Sequence, residues 1–413
     1  MSFRVLYVVY SDILSNVYYS QMEPLWKALT KHGVQLKVFA ALSPLVFLRQ
    51  DLRSRLTERR NSSSVSIETS FFGAGFPPRF GKVLELRLQS TIKTYRPQVL
   101  HARGPIAAGI AAKAISKFPK EFRPKLVFDV RGDTLAEIEL GGLIPKDKHI
   151  SKAKEQLKKL EVAACRKADT MLCVSLPLFA AMRERYDYQR AIFVIPCWAE
   201  VPEQFSDPSE SLRSEIRREL QIGEDTFLWC YAGSTAKWQA LPETLDLITR
   251  LNSRDGRHKI LLLTDDAVGM RNFCRKAGLL ESAFVIRSGN RAQAIRWMSG
   301  ADAAILLREN NAVNRVACPM KFADYLLAGL PILVSDEIGD ISRWVKQYNV
   351  GEVAKSLQGE GLIQPALKLA TYKSESKRAH FRKVAKNLYD NELNLNSFAP
   401  QYLEIYGAPK HDL

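Results

Sequence analysis

The sequence has no apolar run long enough to cross a bilayer. The longest candidate, Val38 to Leu48, is interrupted by Pro44. The start does not read as a secretory leader, because only Val5 to Tyr10 fill the apolar run between Arg4 and Asp12. Cysteine stands at 165, 173, 197, 230, 274 and 318, with no CxxC and no histidine-paired spacing. That pattern argues against a zinc finger or a disulfide framework and fits buried thiols in a reducing compartment; no metal is expected. Glycine is missing where a dinucleotide fold would need it. Phe3 to Val9 read as a first strand, and the loop after it, Tyr10-Ser-Asp-Ile-Leu-Ser-Asn16, carries none. No nucleic-acid-binding motif is recognisable, and no nucleic-acid partner is expected.

What is present is length, ordinary hydrophobicity and positive charge. The 413 residues suit two domains better than one, and 46% hydrophobic content is typical of a globular chain. The net charge of +16 is unevenly placed: residues 1–200 hold 32 Lys and Arg against 18 Asp and Glu. Such an excess implies an anionic partner for the first half: an acidic membrane surface, a phosphorylated lipid or nucleic acid. Pro44 to Arg60 mixes Leu45, Val46, Phe47, Leu48, Leu52 and Leu56 with Arg49, Arg53, Arg55, Arg59 and Arg60. That composition suits a helix on anionic lipid, or a surface helix with a solvated arginine face.

Strand and helix patterns alternate through both halves, which predicts an α/β fold of two doubly wound, Rossmann-like domains. Gln98 to His101 is a strand leading into Ala102-Arg103-Gly104, and Lys125 to Val130 one leading into Arg131-Gly132-Asp133. Polar groups at such strand ends lie where open parallel sheets bind ligands, and an arginine there can fork onto a phosphate or carboxylate. In the second half, Thr226 to Ala232 runs into Gly233-Ser234-Thr-Ala-Lys237. A strand, a small-residue turn and a lysine before a helix make a plausible phosphate cradle.

The most informative stretch is Ala317-Cys-Pro-Met-Lys-Phe-Ala-Asp-Tyr-Leu-Leu-Ala-Gly-Leu-Pro-Ile-Leu-Val-Ser335. Pro319 suits the first helical position, Gly329 the position past the last turn, and Ile332 to Val334 a buried strand. The pattern predicts a helix of about three turns whose start favours an anion. Lys321 adds charge beside that anion. Asp324, on the same face, can accept ribose hydroxyls.

Pro319-x-Lys321-x-x-Asp324-Tyr325-x-x-Ala328-Gly329-x-Pro331 resembles the nucleotide-sugar motif of GT-B glycosyltransferases, especially retaining family 4. The family usually has Glu at the acidic position, and often a second Glu where this chain has Val316. The ends His101-Ala-Arg103 and Arg131-Gly132 resemble its histidine-bearing strand ends, with arginines replacing histidines. The resemblance implies a metal-independent, retaining transferase, without a cofactor, using a UDP- or GDP-linked sugar as substrate. It implies catalytic roles for His101, Arg131, Lys237 and Lys321. It places Gly233, Ser234, Lys237, Ser288, Asn310, Asn311, Pro319, Lys321 and Asp324 at the donor, and Asp12, Arg103 and Arg131 at the acceptor. Domains are expected at 1–200 for the acceptor and 201–380 for the donor, with 381–413 crossing back as helices. With the basic first half, the acceptor is expected to be a glycan or polyprenyl-diphosphate-linked, and the protein cytoplasmic and peripheral on the inner membrane face. An epimerase of the same fold, a basic nucleic-acid-binding protein and a non-catalytic membrane scaffold remain alternatives.

Overall fold

The computed structural model describes residues 3–15, 18–71, 81–140, 150–203, 205 and 207–409. They form two compact units. One is Met1–Pro196 together with Leu395–Leu413, the other Cys197–Asn394.

The first unit is built on seven parallel strands: β1 (Arg4–Tyr10), β2 (Gln35–Leu42), β3 (Ser66–Phe71), β4 (Val99–Arg103), β5 (Lys125–Val130), β6 (Thr170–Cys173) and β7 (Ala191–Val194). Their order is β3-β2-β1-β4-β5-β6-β7, so the sheet reverses direction between β1 and β4. Central strands are buried on both faces, which is why they read as nearly unbroken apolar runs. The register sets Tyr7 opposite His101 and Arg103 opposite Asp129.

The second unit has six parallel strands: β8 (Phe227–Ala232), β9 (His258–Leu263), β10 (Phe284–Arg287), β11 (Ala303–Leu306), β12 (Ile332–Ser335) and β13 (Gly351–Ala354). The order is β10-β9-β8-β11-β12-β13, reversing between β8 and β11. Side chains of β8 alternate between two cores. Leu228 and Cys230 face the helices that contribute Ile295, Phe322 and Trp344, while Phe227, Trp229 and Tyr231 face those that contribute Leu245 and Leu369.

One expectation is corrected here. Residues 381–394 do not leave the second unit. Ala385, Leu388, Tyr389 and Leu393 are buried in its core, and the Tyr389 hydroxyl donates to the Ala199 carbonyl at 2.6 Å. Only the helix Leu395–Tyr406 packs with the first unit, against the helix Glu23–Lys31. The stretch Pro44 to Arg60 is turned outward only in part. Leu56 and Arg59 are buried, and the Arg59 guanidinium lies over the rings of Tyr18 and Tyr19, at 5.0 and 5.2 Å. Among the described side chains of that stretch, Phe47 and Leu48 are exposed, at 54% and 82%.

Candidate functional site

Ligands of open parallel sheets collect outside the carboxyl ends of the strands, where the order reverses. In the second unit that place lies beyond β8 and β11. The helix Lys321–Leu327 is fixed to it by Tyr325, which is fully buried. Its hydroxyl accepts from the Ala232 amide at 2.9 Å and donates to the Ile305 carbonyl at 3.2 Å. One phenol thus ties the helix to both strands at the reversal. The helix ends in a Schellman turn: Leu330 N–H reaches the Tyr325 carbonyl and Gly329 N–H the Leu326 carbonyl, with Gly329 at φ +69°.

Pro319 lies outside this helix, a correction to the expected start. Met320 is the capping residue and Lys321 the first helical one, so the helix has seven residues. Phe322 N–H bonds the Pro319 carbonyl and Ala323 N–H the Met320 carbonyl, a tight three-residue pattern. The preceding residues serve the short helix Ala312–Arg315, which Asn311 caps. Charge at this place therefore comes from side chains.

Lys321 is the first of them. Its Nζ donates to Gln239 Oε1 and lies 5.0 Å from the centre of the Tyr231 ring. Gly233 leaves the room: a Cβ at that position would stand 2.5 Å from Nζ. Burial, then the neighbouring Arg308, pushes the amine well below the ordinary lysine value. Among the described residues Lys321 has no ion pair with a carboxylate. Tyr231 also shapes the turn by donating to the Ser234 carbonyl at 2.8 Å. Ser234 Oγ accepts from Ala236 N–H and from Gln239 Nε2. Lys237 begins a short 3-10 turn, and its side chain lies outside the described residues.

Asp324 sits one turn along from Lys321. Arg291 donates from Nε to its Oδ1 at 2.9 Å, and Nη2 makes an ion-pair contact with the same oxygen at 2.8 Å. The third nitrogen of that guanidinium, Nη1, donates to the Glu200 carbonyl at 2.6 Å. Oδ2 has no partner among the described residues. Burial raises the Asp324 carboxyl above its usual range, while Arg291 and Lys321 restrain the rise. No local pattern marks Arg291, which begins the helix Arg291–Met298 and meets Asp324 only through folding.

The remaining donor residues are more tied to structure. Ser288 donates to the Thr264 carbonyl at 2.6 Å. Asn310 bonds Glu337 and Arg315. Asn311 Oδ1 accepts from Asn314 N–H at 3.0 Å, while its Nδ2 is buried without a partner among the described residues. Val316 is buried at 7%. Beyond β11, Arg308 is equally buried and donates to the Trp238 carbonyl at 3.2 Å.

In the first unit, Arg103 and Arg131 converge. Both donate to Gln21 Oε1, at 2.7 and 2.8 Å, and both flank Asp129, at 3.6 and 3.4 Å. Gln21 belongs to a π-helical turn, Tyr18–Met22, a geometry often found at functional sites. Burial alone would raise the Asp129 carboxyl. Arg131, His101 and Arg103 overcome it and hold the group well below the usual carboxylate range. His101 is fully buried. Its Nε2 is 3.3 Å from Asp129, its Nδ1 is 2.8 Å from the Tyr406 hydroxyl, and its ring stacks on Tyr7 at 4.3 Å. Both ring nitrogens are thus engaged within the first unit. Asp12 starts a short 3-10 turn, and its side chain lies outside the described residues.

Two parallel sheets, each flanked by helices and each reversing at its first strand, define the GT-B fold of glycosyltransferases. Residues 23–201, most of the first unit, match the model of Glycosyltransferase Family 4. No curated protein matches the chain. Among solved structures it is similar to sucrose-phosphate synthase from Thermosynechococcus elongatus, with 13% identity, 98% of both chains covered and a TM-score of 0.71. It is also similar to HepE from Anabaena in complex with UDP, at 14% identity, with 98% of this chain and 99% of that one covered and a TM-score of 0.69. A third is WaaG, a glycosyltransferase involved in lipopolysaccharide biosynthesis, at 13% identity, with 98% and 100% covered and a TM-score of 0.65.

Proposed function

We propose that this protein is a retaining glycosyltransferase that takes a sugar from a nucleoside diphosphate donor. The observation that carries the reading is the pairing of Lys321 with Asp324 on one short helix at the sheet reversal. Lys321, without an acid partner among the described residues, lies against Gly233, whose missing side chain makes room for the amine. Asp324 offers an unengaged Oδ2 one turn away. A diphosphate at the lysine and a ribose at the carboxylate satisfy both. The protonated lysine then stabilises charge on the departing diphosphate, an electrostatic task. Relatives of the same fold support the donor class, since HepE binds UDP and UDP-glucose.

The acceptor we infer is a glycan or polyprenyl-diphosphate-linked glycan, with its anionic group near Arg103 and Arg131, at the inner face of the cell membrane. The excess positive charge of residues 1–200 supports this. The test is release of nucleoside diphosphate from UDP- and GDP-sugars, with and without lipid-linked acceptor. Acceptor-dependent release that Lys321→Ala abolishes supports the reading. Near-normal release by that variant removes it, and sugar conversion without acceptor points to an epimerase.

A further inference from the structure

Arg308 is a buried cation that, like Arg59 over the rings of Tyr18 and Tyr19, lacks among the described residues the acid partner that other buried arginines have. Arg213 and Arg217 share the carboxylate of Asp302, and Arg103 faces Asp129. Arg308 has no carboxylate ion pair among the described residues. The titratable groups that feel its charge are instead Lys321 and the neutral phenols of Tyr231 and Tyr325. Its Nε is buried without a partner among the described residues. Two buried basic groups that feel each other's charge cannot both stay charged cheaply: Lys321 is driven toward its neutral form unless an anion joins them.

The backbone holds Arg308 firmly. Its N–H donates to Ser335 Oγ at 2.8 Å, and that hydroxyl donates back to the Arg308 carbonyl at 2.9 Å. β11 and β12 are adjacent, so this bond locks the chain just past their carboxyl ends. Across the reversal stands the turn Gly233-Ser-Thr-Ala, which contains no arginine. Arg308 reaches that side and bonds the Trp238 carbonyl.

We propose that Arg308 is the second cation of the diphosphate site, gripping the leaving phosphate opposite Lys321. This rests on the donor reading above. The two side chains differ in what they supply. Lysine is a compact point charge, whereas the guanidinium fork fixes two phosphate oxygens at once. Arg308 therefore orients the diphosphate, and Lys321 follows its charge.

Calorimetric titration of the full chain with UDP, GDP and the matching nucleosides tests this. Arg308→Gln is expected to weaken the preferred nucleoside diphosphate by about 10–100-fold, the worth of a charge-assisted hydrogen bond, while the nucleoside changes little. Arg308→Lys, which keeps the charge but loses the fork, is expected to fall between. A role confined to holding Trp238 predicts equal losses for nucleoside and diphosphate, and that result overturns the proposal. If the Gln variant does not fold, the Lys variant decides on the same comparison. Wild-type protein that binds neither UDP nor GDP overturns the donor reading itself. Wild-type binding that Arg308→Gln leaves intact overturns only the role of Arg308.

Discussion

Arg291 holds one carboxylate oxygen of Asp324 with two nitrogens and leaves the other oxygen open. The grip orients the carboxylate and opposes the protonation that burial favours. Asp324→Ala is expected to weaken nucleoside diphosphate binding by about 1.5–3 kcal/mol, the range for hydrogen bonds to a charged group. The loss should vanish for a ligand lacking both ribose hydroxyls. Titration with the ribose and dideoxyribose forms checks this. An equal loss for both would remove the ribose contact. Arg291→Ala should weaken binding more as pH falls, because Asp324 then protonates more easily.

Lys321 gives a pH dependence of opposite sign. Its amine is depressed in the free protein, and a bound diphosphate must raise it again. Binding should therefore take up protons, and affinity should fall as pH rises toward the ordinary lysine range. Titrations in two buffers of different ionisation heat would show the uptake. Identical heats would mean the amine is already charged.

Gly233→Ala places a Cβ 2.5 Å from Lys321 Nζ and 2.6 Å from Gln239 Oε1. Those ends can move, but Gly233 sits at φ +155°, so an alanine there also strains the backbone and melting must be measured alongside turnover. Displacing the lysine by about an ångström is expected to lower turnover by ~100-fold. A variant with normal turnover and normal melting would show that the space beside Gly233 is idle.

In the first unit His101 ties stability to acidity. Burial depresses its pKa below the ordinary 6.5. A depressed histidine contributes stability that is present above 6.5 and lost as pH falls through the folded value. Asp129, also depressed, adds a loss at still lower pH. The urea midpoint of wild-type protein should drop on acidification, and His101→Phe should flatten the part nearest neutrality. Parallel curves for the two proteins would refute the linkage.

Phe47 and Leu48 are exposed beside Arg49, Arg53 and Arg55. Replacing both apolar residues with serine should reduce sedimentation with vesicles containing anionic lipid. Unchanged sedimentation would place membrane contact elsewhere.

Strands and the donor helix were legible because their signals are local. β8 and β12 are continuous apolar runs bounded by small or turn residues, and Gly329 marks its own turn. The partners of the site were not. Arg291 lies 33 residues before Asp324, and Tyr406 lies 305 residues after His101. No spacing rule links such positions; only sheet order brings them together. The start of the donor helix was misread for a subtler reason. Pro319 fits a first helical turn by type, but the chain there closes a tighter three-residue turn.

The helix Leu395–Tyr406 completes the first unit although it is made after the whole of the second. On the ribosome, Cys197–Asn394 can emerge and fold while β4 still waits for Tyr406 to cover His101. The unit begun first is thus completed last, and a nascent chain holds a folded second unit and an unfinished first one until the helix Leu395–Tyr406 has emerged.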